Sequence, residues 1–190
     1  MEILHTQSQD RRTALIQAAC EVIAEKGLEG LRIRVVAARV GINPATMYYY
    51  FATKEDLIEG VLDHLFSTLG ILSEEPAGTP REQLHAHLSR LSRRMRDDPG
   101  LFAVLSEMQL RAGRSFSISR FQEYEEKWHR KLENLLQTGI RQGFWPNYLD
   151  PDQVATTIIL LMQGAALQTT TGIRRIDNSI NQLERWLTGR

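Results

Sequence analysis

Apolar residues recur every three or four positions along almost the whole chain, and no stretch alternates between apolar and polar for more than a few residues. This spacing puts apolar side chains on one face of a helix, whereas strands would alternate. The pattern predicts an all-α fold of nine helices. Its clearest stripes are Leu15, Ala19 and Val22; Ile58, Val61, Leu65 and Leu69; Leu84, Leu88, Leu91 and Met95; and Phe121, Tyr124, Trp128 and Leu132.

Turn signals divide these helices into two groups. The run Ser73–Pro80 (SEEPAGTP) is rich in residues that end helices and is the best linker in the chain. Asp98-Pro99 and Asp150-Pro151 mark helix starts, because proline is accepted in a first turn but not in an interior. We therefore predict a two-domain architecture, with an N-terminal domain at 1–72 that includes a connecting helix at 54–72, and a C-terminal domain at 73–190.

The segment RVVAARVGINPATMYYYF, residues 34–51, predicts two short helices joined by a tight turn. Gly41 can adopt the positive φ that ends the first helix, and Asn43 followed by Pro44 suits the start of the second. Val36 and Met47 are expected to face inward, one from each helix. This pattern at about 33–51 is typical of a helix-turn-helix, whose second helix enters the DNA major groove.

Three consecutive tyrosines sharpen this prediction. Successive helical residues turn by about 100°, so Tyr48, Tyr49 and Tyr50 cannot all face one core. If Tyr50 points inward, Tyr48 and Tyr49 point outward, where their hydroxyls can reach phosphates. Two small residues near the helix start allow close approach to base edges, and a threonine can bond a base or touch the thymine methyl; these are Ala45 and Thr46.

Charge adds only modest support for a nucleic-acid partner. The 190 residues contain 23 basic and 23 acidic side chains, so the overall balance indicates no partner. From Arg11 to Lys54, however, seven basic residues oppose three acidic ones. Over residues 1–60 the balance becomes seven against eight, so a basic surface requires folding to place the acidic residues on the far side.

Several other classes of protein are not expected. The single cysteine, Cys20, fits a reducing cytoplasm, and no apolar run approaches the ~20 residues that span a membrane. No nucleophile–base pair or phosphate-binding glycine loop is present, so we predict no enzyme and no cofactor. His85 and His87 point to different sides of a helix, and His129 has no obvious partners in sequence, so no metal site is predicted.

Residues 11–69 resemble the DNA-binding domain of the TetR family of bacterial transcriptional regulators. The matching features are Ala18-Ala19, Gly27, Ala37, Gly41 and the run MYYYFATKEDL at 47–57. The resemblance implies a homodimeric repressor that binds double-stranded DNA. Two recognition helices in successive major grooves would require a palindromic operator, and the lack of a membrane or export segment leads us to expect the chain in the cytoplasm. The DNA-binding residues expected from the motif and the resemblance are Arg32, Arg34, Asn43, Pro44, Ala45, Thr46, Tyr48, Tyr49 and Lys54.

One departure concerns the start of the second helix. The family commonly has threonine or serine where this chain has Leu31 and Arg32. Leucine cannot bond a phosphate, so we expect Arg32 or Arg34 to supply that contact as a charge.

The resemblance also implies a small effector that binds the C-terminal domain and releases DNA. Large, adaptable aromatic and sulfur side chains suit a mainly hydrophobic ligand, although the same side chains could form ordinary core. The predicted ligand residues are Phe102, Met108, Arg111, Phe121, Tyr124, Trp128, Met162 and Gln163, with Gln168 as a further polar group.

The helix after Pro151 is apolar on nearly all sides and must be covered on more than one. With the last helix it can form a four-helix interface across a two-fold axis; alternatively it is a central helix buried within one subunit. The predicted dimer residues are Val154, Ile158, Leu161, Ala165, Ile180, Leu183 and Leu187.

Two alternatives stay open at this point. The chain could be a helical carrier of apolar ligands or an all-α enzyme, with its chemistry in the second domain. It could also be a helical adaptor that uses the first domain to dock a protein. Neither alternative explains why Gly41 and the run of three tyrosines occur together.

Overall fold

A computed structural model describes the backbone at residues 2–112, 118–167 and 170–189, and side chains at 9–110, 119–167 and 175–189. Within these ranges the secondary structure is entirely helical, which confirms the predicted all-α fold. No described helix is both long enough and apolar enough to cross a membrane. The described residues form nine helices, which are α1 Glu2–Gly30, α2 Ile33–Val40, α3 Pro44–Tyr50, α4 Lys54–Leu69, α5 Pro80–Asp97, α6 Pro99–Ala112, α7 Ile118–Arg141, α8 Pro151–Ala166 and α9 Thr170–Leu187.

Contacts divide the chain into two compact units. The first contains Met1–Leu65 and Ala103–Phe121, and the second contains Phe66–Phe102 and Gln122–Arg190. The predicted C-terminal domain, 73–190, includes Ala103–Phe121, a segment that is grouped here with the N-terminal residues. The division after residue 72 into two functional domains stays a prediction.

The first unit is built on the predicted apolar stripe of α1, because Leu15, Ala19 and Val22 are all fully buried. The helical backbone is interrupted at Gly27, which has φ 68° and ψ 175°. Leu31, which follows the last turn of α1, is also fully buried, so it contributes packing rather than a surface contact.

In the second unit, helix starts follow the predicted turn signals. Thr79 and Glu82 form a reciprocal capping box at the start of α5. The Asp150 carboxylate accepts hydrogen bonds from the first backbone N–H groups of α8, as the Asp150-Pro151 pair predicts. Asp177 on α9 accepts from the buried Ser92 of α5 and thereby links these two packed helices.

A buried ion cluster holds the segment that precedes α5. The Glu75 carboxylate accepts hydrogen bonds from His87 Nδ1 at 2.8 Å, from the Arg90 guanidinium at 2.7 and 2.8 Å, and from Lys131 Nζ at 2.7 Å. Burial opposes ionisation of Glu75, but these donors outweigh it and hold the pKa of Glu75 well below its usual range. The cluster therefore contains a buried carboxylate that is ionised at neutral pH and ties the segment to α5 and α7.

Trp128 sets the tautomer of the histidine in this cluster. The indole N–H can only donate, and it lies 2.9 Å from His87 Nε2, so Nε2 is the acceptor and Nδ1 carries the proton toward Glu75. Burial lowers the pKa of His87, and the hydrogen bond to Glu75 opposes this effect. His87 is thus a neutral bridge between an indole and a carboxylate.

Candidate nucleic-acid interface

A tight turn of three residues joins α2 to α3. Gly41 ends α2 with φ 74° and ψ 31°, and its backbone N–H bonds to the carbonyls of Ala37 and Ala38. Ile42 N–H bonds to the Ala37 carbonyl at 3.0 Å, which completes the left-handed helix cap. No atom lies within 4 Å of a Cβ built at Gly41, so backbone conformation rather than space requires glycine here.

Asn43 begins the second helix as predicted. Its side-chain Oδ1 accepts a hydrogen bond from the Ala45 backbone N–H at 2.8 Å, and Pro44 occupies the first helical position. The cap and the proline together fix the direction in which α3 leaves the turn.

The outer face of α3 carries the side chains that the sequence predicts. Met47 is fully buried, Tyr48 is 56% exposed and Tyr49 is 80% exposed. Tyr50 is half-buried, and its ring meets that of Tyr49 edge to face with centroids 5.2 Å apart. Ala45 and Thr46 are exposed at the start of the helix. The predicted outward facing of Tyr48 and Tyr49 is confirmed, whereas Tyr50, which was expected to point inward, is covered only in part.

The basic residues of this unit fall into two groups. Arg32 and Arg34 are exposed. Arg39 instead forms ion pairs with Glu25 at 2.7 Å and Glu21 at 3.3 Å, which connect α2 to α1. The hydrogen bond from Arg39 lowers the pKa of Glu25. The positive charge of Arg39 is therefore neutralised by α1. Its two partners are among the acidic residues that lower the net charge of residues 1–60.

Lys54 is less exposed than its predicted role suggests. It is half-buried at the start of α4, and its Nζ lies 3.4 Å from the carbonyl of Leu28. Lys54 thus caps the end of α1 with its charged group. Whether it also contacts phosphate stays a prediction.

The start of α2 lacks a capping side chain. Arg32 occupies the N-cap position with extended backbone, φ −129° and ψ 137°, and its side chain makes no capping hydrogen bond. The preceding residue, Leu31, is committed to the core. The positions at which the family commonly has threonine or serine therefore provide packing and an exposed cation in this chain.

The predicted ligand residues are divided between the two compact units. Met108 and Phe121 are buried in the first unit, whereas Phe102, Trp128 and Met162 are buried in the second. Tyr124 is half-buried and stacks on Phe66 with ring centroids 4.3 Å apart. Gln163 donates a 2.8 Å hydrogen bond to Glu125. The side chains of Arg111 and Gln168 lie outside the described residues.

A groove of about 640 Å³ lies between α7 and α8 of the second unit. Sequence reasoning missed it, because its lining mixes polar positions of two helices whose packing only the fold reveals. None of the predicted ligand residues whose side chains the structure describes lines it. Its walls are formed by Gln122, Glu125, Glu126, His129, Arg130, Thr156, Ile159 and Leu160.

Most of the predicted dimer residues are covered by the chain's own helices. Ile158, Ala165, Ile180, Leu183 and Leu187 are buried within a single chain, and Val154 and Leu161 are half-buried. The physical reason is that α8 and α9 pack on each other and α9 packs on α5, which uses the apolar stripes that the sequence makes most visible. Among the described side chains of this region, the large apolar ones that remain exposed are Leu160 on α8, Leu167 directly after α8 and Trp186 on α9.

A short helix, a glycine turn and a second helix with an exposed polar and aromatic face define a helix-turn-helix protein. A family model described as "Bacterial regulatory proteins, tetR family" matches residues 15–61. The transcriptional repressor Rv3405c of Mycobacterium tuberculosis is 36% identical over 94 residues, which cover 48% of this chain and 50% of the repressor. The chain thus spans about half the length of such curated relatives.

Two solved structures share the fold over nearly the whole chain. A TetR regulator from Haloarcula marismortui has a TM-score of 0.83 and 24% identity, covering 94% of this chain and 98% of that one. The regulator FadR from Bacillus subtilis, solved in complex with stearoyl-CoA, has a TM-score of 0.76 and 23% identity, covering 94% and 98%. The resemblance to the TetR family that the motif predicts is confirmed over residues 15–61, and the solved structures extend the shared fold over nearly the whole chain.

Proposed function

We propose that this chain is a DNA-binding transcriptional regulator that acts in the cytoplasm as a homodimeric repressor and leaves its operator when a small effector binds. The observation that carries the proposal is the outer face of α3. With Met47 buried, the helix presents Thr46, Tyr48 and Tyr49 to solvent directly after a capped turn.

In this proposal α3 enters the major groove. Ala45 and Thr46 lie at the start of the helix and approach base edges, while Tyr48 and Tyr49 contact the sugar–phosphate backbone. Arg32 and Arg34 add phosphate contacts as exposed cations near the start of α2. Asn43 and Pro44 position the helix rather than read the sequence.

A homodimer would place two copies of α3 in successive major grooves. The half-sites would then be separated by about 34–36 Å, or a multiple of this distance, and the operator would be a near-palindrome. We place the dimer interface on the exposed apolar positions of α8 and α9, Leu160, Leu167 and Trp186, because large exposed apolar side chains on packed neighbouring helices suit a symmetric helical interface.

Release by an effector requires that the ligand favour a dimer whose recognition helices no longer fit two successive grooves, and the coupling must be reciprocal. We propose residues 73–190 for effector binding and dimerisation, and a small, largely hydrophobic molecule as the ligand. The buried aromatic and sulfur side chains Phe102, Trp128 and Met162 support this ligand class. The complex of FadR with stearoyl-CoA is consistent with it.

The experiment that tests the proposal is selection of bound fragments from the source genome, followed by footprinting over a salt series. We expect a protected near-palindrome whose affinity falls steeply with salt, because phosphate contacts release counterions. If a folded dimer freed of ligand enriches no site, the regulator proposal is wrong, and a ligand carrier or a protein-docking adaptor replaces it.

A further inference from the structure

A histidine and two carboxylates from separate parts of the sequence meet in the second unit. His129 and Glu133 are one turn apart on α7, and Asp152 lies in the first turn of α8. A ring nitrogen of His129 and an oxygen of each carboxylate all lie within 4.8 Å of one another. Asp152 is distant in sequence from the two residues of α7, and the fold brings its carboxylate to them.

The surroundings of His129 are rich in oxygen. Its Nε2 lies 3.4 Å from the Asp152 carboxylate Oδ1, 3.3 Å from the Asp152 carbonyl and 3.1 Å from the Thr156 hydroxyl. The imidazole therefore points at three oxygen atoms of α8. His129 also lines the groove between α7 and α8, so its edge can be reached from solvent.

We propose that His129, Glu133 and Asp152 bind one divalent first-row transition cation, of which Zn²⁺ is the probe to use. One imidazole and two carboxylates suit such a cation, whereas Mg²⁺ and Ca²⁺ prefer oxygen ligands alone. Ligand atoms held at ~2.0–2.2 Å from a cation are ~3–4 Å apart, so the present spacing needs only small side-chain rotations. Asp152 is exposed and can make that movement.

The cation would replace the Nε2 proton of His129 and tie α7 to the first turn of α8. Water would complete the coordination, because three protein ligands leave at least one position open. Since an assembled ligand set exists only in the folded chain, cation binding would stabilise the native state. The inference concerns the second unit and holds whether or not the chain binds DNA.

The test uses the full chain after removal of bound metal with a chelator. Calorimetric titration with Zn²⁺ should give one site per chain, and Mg²⁺ at the same concentrations should give none. At Zn²⁺ about a hundred times Kd, the midpoint of thermal unfolding should rise by about 5–10 °C. Replacement of Zn²⁺ by Co²⁺ should give visible absorption bands that report coordination by the protein.

Two pairs of variants identify the ligands. His129→Gln and Glu133→Gln should each weaken Zn²⁺ binding by about tenfold or more and abolish the rise in the unfolding midpoint. His85→Gln and Glu126→Gln are matched controls, because they remove a histidine on α5 and a carboxylate on α7 outside the cluster, and they should bind Zn²⁺ as the unaltered chain does. His129 and Glu133 are both partly exposed, so their replacement should leave the fold intact. The midpoint of thermal unfolding of each variant in chelator reports whether it folds.

The inference is wrong if the unaltered chain binds no Zn²⁺ at about 100-fold molar excess. It is equally wrong if His129→Gln and Glu133→Gln, folded in chelator, bind Zn²⁺ as before, or if His85→Gln removes the binding.

Discussion

The backbone N–H of Leu28 donates a 3.0 Å hydrogen bond to the carboxylate of Glu107, a residue on α6 that is 79 positions away in the sequence. The bond forms directly after Gly27, where α1 leaves helical geometry and exposes this N–H. A Cβ at Gly27 would lie 3.1 Å from the Glu107 Oε1 atom. The missing side chain therefore permits both the kink and the contact with α6.

This relationship predicts the effect of Gly27→Ala. With φ 68° and ψ 175°, Gly27 has a backbone conformation that is essentially restricted to glycine and costs another residue about 1–3 kcal/mol, and the new methyl group crowds Glu107. We expect the free energy of unfolding to fall by about 2 kcal/mol, measured by chemical denaturation. Gly100→Ala is the control, since its Cβ would meet only ordinary contacts, and it should leave stability unchanged or raise it by up to about 1 kcal/mol.

Tyr49→Ala should separate DNA binding from folding. Tyr49 is largely exposed, so its removal should leave the unfolding midpoint nearly unchanged while raising the Kd for the selected operator by about tenfold. Met47→Ala, two residues earlier and fully buried, should instead cost about 2–5 kcal/mol of stability. Fluorescence anisotropy and thermal unfolding measure the two effects. Unchanged operator affinity for Tyr49→Ala would contradict the proposed role of α3.

The facing of α3 could be predicted from sequence because one buried residue, Met47, fixes the direction of its neighbours through the 100° helical rotation. The same reasoning could not choose the exposed stripe of α8. That helix is apolar nearly all round, and only the packing of α9 shows that Ile158 is covered while Leu160 is exposed. Nor could spacing show that Arg39 is paired with acidic residues of α1.

Replacing the uncapped start of α2 should stabilise the chain. Arg32→Thr places a hydroxyl where it can accept a hydrogen bond from a first-turn backbone N–H, a contact worth about 1 kcal/mol that arginine does not make. Arg34→Thr removes the same charge inside the helix and should bring no such gain. Both variants should reduce the salt dependence of operator binding by about one phosphate contact. A lower unfolding midpoint for Arg32→Thr than for Arg34→Thr would contradict the capping argument.

Glu75→Gln should reveal the buried ion cluster through pH. The variant leaves Arg90 and Lys131 without their buried carboxylate, so we expect a loss of about 2–4 kcal/mol at pH 7. Folding lowers the pKa of Glu75 from 4.5. On acidification the unfolded chain therefore takes up a proton at this carboxylate at a higher pH than the folded chain does. The stabilisation is therefore complete above pH 4.5 and decreases as pH falls further.

Thermal unfolding of both chains between pH 7 and pH 3 measures this window. The gap between the two midpoints should be constant down to about pH 4.5 and should narrow below it. Glu74→Gln removes the neighbouring, exposed carboxylate and should match the unaltered chain throughout. A gap that does not change with pH would show that Glu75 acts only by packing.

The proposed dimer interface, which uses exposed rather than buried side chains of α8 and α9, can be tested at Leu160. Leu160 is 62% exposed on α8, so Leu160→Glu adds a charge at the surface without disturbing the core. If that surface pairs with a second copy, dimerisation would bury the new carboxylates of both copies, which would lose their hydration and repel each other. Light scattering should then report a monomer of 21.7 kDa in place of the dimer. Leu110→Glu introduces the same charge at a position 67% exposed on α6 and should remain dimeric. Because the two sites are equally accessible, a monomer produced by Leu160→Glu alone would assign the interface to α8, whereas an intact dimer would exclude Leu160 from it.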